Sequence, residues 1–192
     1  MKLNLVDMKF RKFVSIIVVV VIAVILLVRL LPQANINSNA EQTDHKIVDK
    51  ETGISFTFPN CTIKPARVYS LSETDYTCDD TSSKIGYAVT AAKSNSDLAT
   101  DDKSAYDYLE SSYLSVAFPP EKYTIISKKH VIFAGFPAID YSVISKSTSL
   151  YKYERGLVVV NHKQHVLVDL YYTSNQSIDE SSYQGFIDTL KI

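Results

Sequence analysis

Residues 156–172, GLVVVNHKQHVLVDLYY, contain two apolar runs separated by four polar residues. The runs are rich in Val and Leu, and the polar residues 161–164 predict a four-residue hairpin loop between two strands. In this register Val159 faces Val166 on one side of the hairpin, and Val158 faces Leu167 on the other. Because both sides are apolar, other elements of the chain are expected to cover both faces of the sheet.

Two amphipathic helices are the expected covers. The first has apolar residues at helical spacing, with Asp101 and Asp102 at its N-terminus and Pro119 and Pro120 after its end. Its apolar positions are Ala105, Tyr106, Leu109, Tyr113 and Val116.

The second helix lies near the C-terminus. Ser177 and Glu180 match a capping box, with Ser as the N-cap and Glu three residues later. The stripe expected to pack on the sheet follows at i, i+3, i+4 and i+7 and consists of Tyr183, Phe186, Ile187 and Leu190.

Further strands are predicted on either side of the first helix. Ile54, Phe56 and Phe58 alternate with polar residues after a turn at Gly53, and short strands are expected at 66–71, 84–93 and 123–133. Gly135 and Pro137 predict a tight corner between the strand that ends near Phe133 and the next one. The pattern indicates an α+β fold, a single antiparallel-sheet domain with helices packed on it.

The order of these elements resembles the PsbP-like superfamily of α/β/α sandwiches, named after a lumenal extrinsic protein of photosystem II. The resemblance covers residues 47–192 and is carried by four segments: ISFTFP (54–59), AGFPAIDY (134–141), the hairpin at 156–172 and SYQGFIDTL (182–190). It implies a binding or assembly module rather than an enzyme. The shared motifs are structural, so no functional residue transfers to this chain.

Residues 13–31, FVSIIVVVVIAVILLVRLL, form an apolar run that would make a helix of about 28 Å, close to the thickness of a bilayer core. Lys9, Arg11 and Lys12 precede the run, which predicts a cytoplasmic N-terminus and an extracytoplasmic C-terminal part. The expected organisation is a basic tail (1–12), a transmembrane anchor in membrane lipid (13–31), a polar tether (32–46) and the domain (47–192). A cleaved signal peptide ending near Ala40 is the alternative.

Charge separates the two parts of the chain. Residues 1–32 carry five Lys or Arg and one Asp, a net charge of +4, whereas the remainder carries 15 Lys or Arg and 20 Asp or Glu, a net charge of −5. A mildly acidic domain lacks the basic surface that nucleic-acid binding requires. We therefore expect no nucleic-acid partner.

The two cysteines, Cys61 and Cys78, both follow the predicted anchor. In an oxidising compartment they are expected to form a disulfide, which would stabilise the polar segment between them. A metal site would need further ligands nearby, and no His lies between His45 and His130.

No catalytic constellation emerges from the sequence. His162 and His165 flank a hairpin turn with no carboxylate or thiol close in sequence, and His130 is expected on an exposed strand edge. The Asp pairs do not follow the spacing of a calcium loop, and no nucleophile elbow is present. We predict no cofactor, no metal and no enzymatic activity.

Tyrosine is the most abundant residue suited to contacts, with 13 copies and no Trp. These side chains either form an exposed binding patch or fill the space between helix and sheet. The candidates for a patch are Tyr69, Tyr76, Tyr106, Tyr108, Tyr151 and Tyr153.

Two functions remain open. The first is a single-pass membrane protein whose non-catalytic domain binds or helps to assemble another envelope component. The second is an extracytoplasmic enzyme or small-ligand or glycan receptor whose pocket residues are scattered in sequence; a deep polar pocket with convergent side chains would favour it.

Overall fold

The computed structural model describes residues 40–43, 45–70, 73–80, 82–147 and 151–192. The predicted basic tail, the anchor at 13–31 and most of the tether lie outside the described residues. Within the described part of the chain, no helix combines the length and the apolar character needed to cross a membrane.

A small antiparallel sheet begins the described chain. Its three strands are β1 (Ala40–Thr43), β2 (Lys46–Asp49) and β3 (Ser55–Thr57), in that order. β1 lies within the segment predicted as a tether. Gly53, at φ +78°, occupies the predicted turn between β2 and β3, because a left-handed backbone there favours glycine.

The main sheet contains eight antiparallel strands among the described residues. They are β4 (Thr62–Ile63), β5 (Arg67–Ser70), β6 (Glu73–Asp80), β7 (Ile85–Lys93), β8 (Tyr123–Phe133), β9 (Phe136–Ser145), β10 (Tyr153–Asn161) and β11 (Val166–Ser174). The strand order is β4-β6-β7-β11-β10-β9-β8, and β5 also pairs with β6. The predicted corner is a two-residue turn between β8 and β9, formed by Ala134 and Gly135, both with positive φ.

The helical segments lie between β7 and β8 and after β11. The first consists of α1 (Asp102–Tyr108), a π-helical segment (Leu109–Leu114) and α2 (Ser115–Ala117), and the second is α3 (Glu180–Ile187). An antiparallel sheet with helices on both faces was expected from the sequence, and the structure confirms it.

The two faces of the sheet have separate cores. On the face that we call the α3 face, α3 and the small sheet cover a cluster that includes Leu157, Val159 and Val168. On the opposite face, which we call the groove face, the first helical region covers Val158, Val160 and other residues of β9–β11. Alternation along β10 and β11 thus sends successive apolar side chains to different cores, as predicted.

The predicted register of the central hairpin is wrong by two residues. Val159 pairs with Val168 and Val160 with Leu167, and the loop comprises residues 162–165. The loop begins one residue later because Asn161 is buried at the end of β10 and its Oδ1 accepts a hydrogen bond from the Gln164 backbone N–H. The shift is an even number of residues, so the assignment of side chains to the two faces is unchanged.

The segment between the cysteines was predicted as a polar loop with one short strand at 66–71, but it also contains the first part of the eight-residue strand β6, which includes Cys78 and ends at Asp80. β6 pairs with β7 along its whole length, from Glu73 opposite Ala92 to Asp80 opposite Ile85. Only Tyr76 and Cys78 of β6 are buried. Two buried side chains in eight residues give too weak an apolar alternation for the sequence to indicate a strand.

Both helices differ in detail from the prediction. α3 begins after Asp179, not after Ser177, because the Asp179 carboxylate accepts a hydrogen bond from the Ser181 backbone N–H. The predicted stripe of Tyr183, Phe186, Ile187 and Leu190 is buried. In the first helical region, Val116 is 76% exposed and was wrongly placed in the stripe.

Two links hold β6 in the structure. The predicted disulfide between Cys61 and Cys78 is present, with a Cα–Cα distance of 5.8 Å, and connects the residue before β4 to β6. The Tyr76 hydroxyl donates to Asp49 Oδ2 at 2.6 Å, and Asp49 Oδ1 accepts from the backbone N–H groups of Glu51 and Thr52. Buried Asp49 therefore closes the β2–β3 turn and connects the small sheet to the main one.

Candidate functional site

A groove of about 500 Å³ opens on the groove face, where the first helical region leaves β6 and β7 uncovered. Its walls come from β5–β7, the connection after β7, β11 and the first helical region. The lining residues are Tyr69, Glu73, Asp75, Thr90, Ala92, Lys93, Ser94, Leu98, Tyr108, Tyr113 and Leu167.

The π-helical segment positions the groove's inner tyrosine. Leu109 and Leu114, five residues apart, are both fully buried, which matches the wider turn of a π-helix. In a continuous α-helix, positions i and i+5 lie on different faces. The extra residue in the π-helical turn places Tyr113 at the edge of the helix. There the Tyr113 hydroxyl donates to Asp169 Oδ2 at 2.7 Å.

Behind Tyr113 lies a buried chain of hydrogen-bonding groups. Tyr141 Oη is 3.0 Å from both carboxylate oxygens of Asp169 and 3.1 Å from Glu154 Oε1. A tyrosine hydroxyl has a single proton, so it donates to only one of the two acids at a time. A proton on Glu154 would complete the chain, with Glu154 donating to Tyr141, Tyr141 donating to Asp169, and Tyr113 donating to the same carboxylate.

The pKa values of the two acids fit this arrangement. Burial, and then the charge of Asp169, raise the pKa of Glu154 to about 8. Burial raises the pKa of Asp169 to about 7, although the hydroxyls of Tyr113 and Tyr141 partly oppose the increase. At neutral pH this pair therefore retains a proton that exposed carboxylates would lose.

Gly156 makes room for Tyr141. A Cβ atom at position 156 would overlap the ring of Tyr141, so the ring lies directly against the backbone of β10. The absence of a side chain at Gly156 thus allows Tyr141, on the neighbouring strand, to reach the two acids on β10 and β11.

The polar lining of the groove consists largely of acceptors. The Thr90 hydroxyl donates to Asp75 Oδ1 at 2.7 Å, so its hydrogen is used, as is that of Tyr113. Lys93 lines the same groove, but its Nζ donates to the Glu51 carbonyl oxygen at 3.2 Å. The groove lining therefore includes two hydroxyl oxygens whose hydrogens are already used, the carboxylates of Glu73 and Asp75, and three tyrosine rings.

A second, smaller pocket of about 280 Å³ lies near the other end of the buried chain. Glu154, which is half-buried, lines it together with Tyr123, Val143, Ser145, Tyr151, Lys152, Tyr153 and Thr173. The chain from Tyr113 to Glu154 thus connects two concave surfaces of the same face of the sheet.

The histidines do not form a common site. His130 lies on the edge strand β8, as predicted, where its ring stacks on Tyr106 and Nε2 is 2.8 Å from Glu110 Oε1. His165 does have a carboxylate neighbour, contrary to the sequence interpretation, because Asp97 lies 3.4 Å from its Nδ1. Among the described residues, no group of three or more His, Cys, Asp or Glu side chains could hold a metal ion.

The tyrosines divide between the two predicted roles. Tyr69 is 60% exposed and lines the groove with Tyr108, whereas Tyr76 is buried on the α3 face. Sequence reasoning missed Tyr113 as a site residue, and it missed Glu154 and Asp169. One feature of the sequence could have indicated this site: Asp169 is the only charged residue in the apolar run VLVDLYY. A carboxylate buried in such a run requires hydrogen-bonding partners nearby.

Comparison with solved structures identifies the architecture. The chain superimposes on the solution structure of cyanobacterial PsbP (CyanoP) from Synechocystis sp. PCC 6803 with a TM-score of 0.50 and 12% sequence identity, covering 77% of this chain and 91% of that one. The fold is PsbP-like. This likeness confirms the resemblance inferred from the four sequence segments, and at this identity it establishes the fold alone.

A crystal structure from Bacteroides thetaiotaomicron VPI-5482 is also similar, with a TM-score of 0.46 and 10% identity, covering 78% of this chain and 48% of that one. No protein-family model and no curated protein matches the sequence.

Proposed function

We propose that this chain is a membrane-held, non-catalytic module whose PsbP-like domain binds, or helps to assemble, another component of the cell envelope. In this proposal residues 13–31 anchor the chain in lipid, the polar residues between this anchor and β1 form the tether, and the domain lies outside the cytoplasm. The basic residues before the apolar run and the disulfide between Cys61 and Cys78 support this placement.

The groove beside the first helical region is the main observation that supports a binding role. Ligand sites are concave surfaces of about 300–1,000 Å³ with an apolar lining and a few fixed polar groups, and the groove of about 500 Å³ fits this description. Tyr69, Tyr108 and Tyr113 supply rigid aromatic surface. Tyrosine is enriched at binding surfaces because its ring is apolar and its hydroxyl is polar.

The buried acid nearest to the groove is not placed to act as a general base for a molecule in the groove. Asp169, the buried acid nearest to it, is fully enclosed and already accepts hydrogen bonds from Tyr113 and Tyr141. A general base must lie within hydrogen-bond reach of the proton it removes. Tyr113 stands between Asp169 and any molecule in the groove.

The test is photo-crosslinking of the full chain in its own membrane. p-Benzoylphenylalanine replaces Tyr69 in the groove or, as the matched control, Val116, which is exposed on the first helical region outside the groove lining. We expect one defined product from position 69 and no such product from position 116. The product should also disappear when Tyr108, another groove residue, is changed to Ala.

Two outcomes would contradict a binding groove. One is the same set of crosslinked products from positions 69 and 116. The other is a product from position 69 that persists unchanged in the Tyr108→Ala variant.

The smaller pocket favours a second candidate function, an enzyme or small-ligand receptor. Glu154 combines a raised pKa with a position in a concave surface, a combination that is frequent at functional sites. Ser145, Tyr151 and Thr173 line the same pocket from distant parts of the sequence. If Glu154→Gln abolishes a ligand-dependent or catalytic signal that the groove variants leave intact, this pocket and not the groove is the functional site.

A further inference from the structure

We propose that the groove selects a ligand bearing an alkylammonium group, that is, a primary amine on a short methylene chain. This inference rests on the proposed function of the groove as the binding site, and it specifies the chemical class of the ligand. It follows from the direction of the hydrogen bonds within the groove, from the aromatic rings and from the charge.

Two hydroxyls of the groove lining have no hydrogen left to donate to a ligand. Thr90 and Tyr113 use their hydroxyl hydrogens on Asp75 and Asp169, so both oxygens present lone pairs to the groove. Asp75 and Glu73 contribute further acceptor oxygens. The Ser94 hydroxyl oxygen accepts from the Ser96 backbone N–H and lies 3.1 Å from the Ser96 hydroxyl oxygen, and Lys93 donates to the Glu51 carbonyl oxygen. An ammonium group offers three donors and no acceptor, and it therefore satisfies such a lining.

The electrostatics of the groove favour a cation. Glu73 and Asp75 lie in its wall, and enclosed Asp169 lies behind Tyr113. The ammonium of Lys93 is held at the Glu51 carbonyl, and the chain after residue 32 carries a net charge of −5. The lining thus has two carboxylates and one ammonium, and a cleft with an excess of one sign of charge concentrates ligands of the opposite sign.

The apolar parts of the lining fit the carbon chain of such a ligand. Ala92, Leu98 and Leu167 provide aliphatic contacts. The rings of Tyr69, Tyr108 and Tyr113 can hold a cation against their faces, an interaction favoured at partly desolvated aromatic sites. A neutral polyol would gain neither the charge attraction nor the cation–π contact.

The amine could be a free diamine or the side chain of a lysine in a protein. Calorimetric titration of the purified full chain in detergent separates the two, with 1,5-diaminopentane as one probe and an acetylated and amidated Ala-Lys-Ala peptide as the other. Pentane-1,5-diol, with the same chain length and no charge, is the neutral control. Tighter binding of the peptide identifies a protein lysine, and tighter binding of the diamine identifies a free amine.

Substitutions of groove residues test whether the amine binds in the groove. Asp75→Asn keeps an acceptor for Thr90 and removes one charge, and it should weaken amine binding about tenfold, the factor that corresponds to about 1.4 kcal/mol. Glu73→Gln is a second variant at the same groove, for use if Asp75→Asn disturbs folding as judged by circular dichroism. The matched control is Asp107→Asn, which removes an exposed carboxylate that pairs with Lys103 and should leave binding unchanged.

Saturable binding of an amine that the groove variants weaken and the control variant does not supports the inference. Equal affinity for the diol, or equal losses in the groove and control variants, overturns it. Absence of amine binding, together with a defined crosslink from position 69, overturns the ligand class and leaves the groove as a binding site. Failure of that crosslink counts separately, against the proposed function.

Discussion

At the scale of single residues, Gly156 and Tyr141 illustrate how the site depends on neighbouring strands. Tyr141 is fully buried and reaches both acids only because position 156 has no side chain. The sequence does not show this dependence, since the two residues lie 15 positions apart and meet only through the pairing of β9 with β10.

Replacing Gly156 with Ala should destabilise the domain by about 1–3 kcal/mol, because the new methyl group overlaps the Tyr141 ring. Gly185→Ala is the matched control. Apart from its chain neighbours and the backbone of α3, no atom lies within 4 Å of a Cβ at position 185, so this variant should gain about 0.5–1 kcal/mol from helix propensity. Urea unfolding of the two variants measures both effects, and equal stabilities would contradict the proposed packing of Tyr141.

Glu154 and Asp169 should make stability fall as pH rises from about 5 to 8. Their raised pKa values mean that the folded state keeps protons which the unfolded chain has already released in this range. The unfolding free energy therefore decreases by about 1.4 kcal/mol per pH unit for each such proton. The charged and titratable groups around the pair are Tyr113, Tyr141, Tyr171 and Asp75.

The variant Glu154→Gln should have a smaller slope of unfolding free energy against pH, because Gln does not ionise. The reduction should correspond to about one proton, or about 1.4 kcal/mol per pH unit. Asp169 and Asp140, whose pKa values are also raised by burial, remain in the variant and provide a residual slope. Chemical denaturation at pH 5.5, 6.5 and 7.5 measures the slope. An unchanged slope in the variant would show that Glu154 does not hold the proton.

At the scale of elements, the disulfide connects the residue before β4 to β6, the strand that forms one wall of the groove. Changing Cys61 and Cys78 together to Ser should cost about 3 kcal/mol, the loop-closure entropy for a separation of 17 residues. Urea unfolding with and without reductant measures the loss. The reduced natural chain should match the double variant, and equal stabilities of its oxidised and reduced forms would contradict the prediction.

The elements differ in how far the sequence could predict them. The central hairpin has two continuous apolar runs and the α3 stripe has helical periodicity. Their side chains were therefore assigned to the correct faces even where the register or the cap was wrong. β6 was missed because it buries only Tyr76 and Cys78. The π-helical segment could not be predicted from the sequence, since its extra residue is stabilised by the burial of Leu109 and Leu114 in the tertiary structure.

At the scale of the whole molecule, the sequence predicted an antiparallel sheet with helices on both faces and the PsbP-like resemblance. It did not predict the groove. The groove depends on where the first helical region ends on the sheet, and its residues come from segments between Tyr69 and Leu167 that only the tertiary fold brings together. The pairing of Glu154 with Asp169 could not be predicted from the sequence either. A single Asp or Glu in a strand indicates a site only when its neighbours in the tertiary structure are known.

We propose that a membrane anchor places this domain and its groove outside the cytoplasm. The most direct measurement is labelling of the Val116→Cys variant in intact cells with a membrane-impermeant maleimide, since position 116 is highly exposed. We predict labelling of position 116 from outside, with Cys61 and Cys78 labelled only after reduction and denaturation. Labelling of position 116 only after cell lysis would contradict the claim.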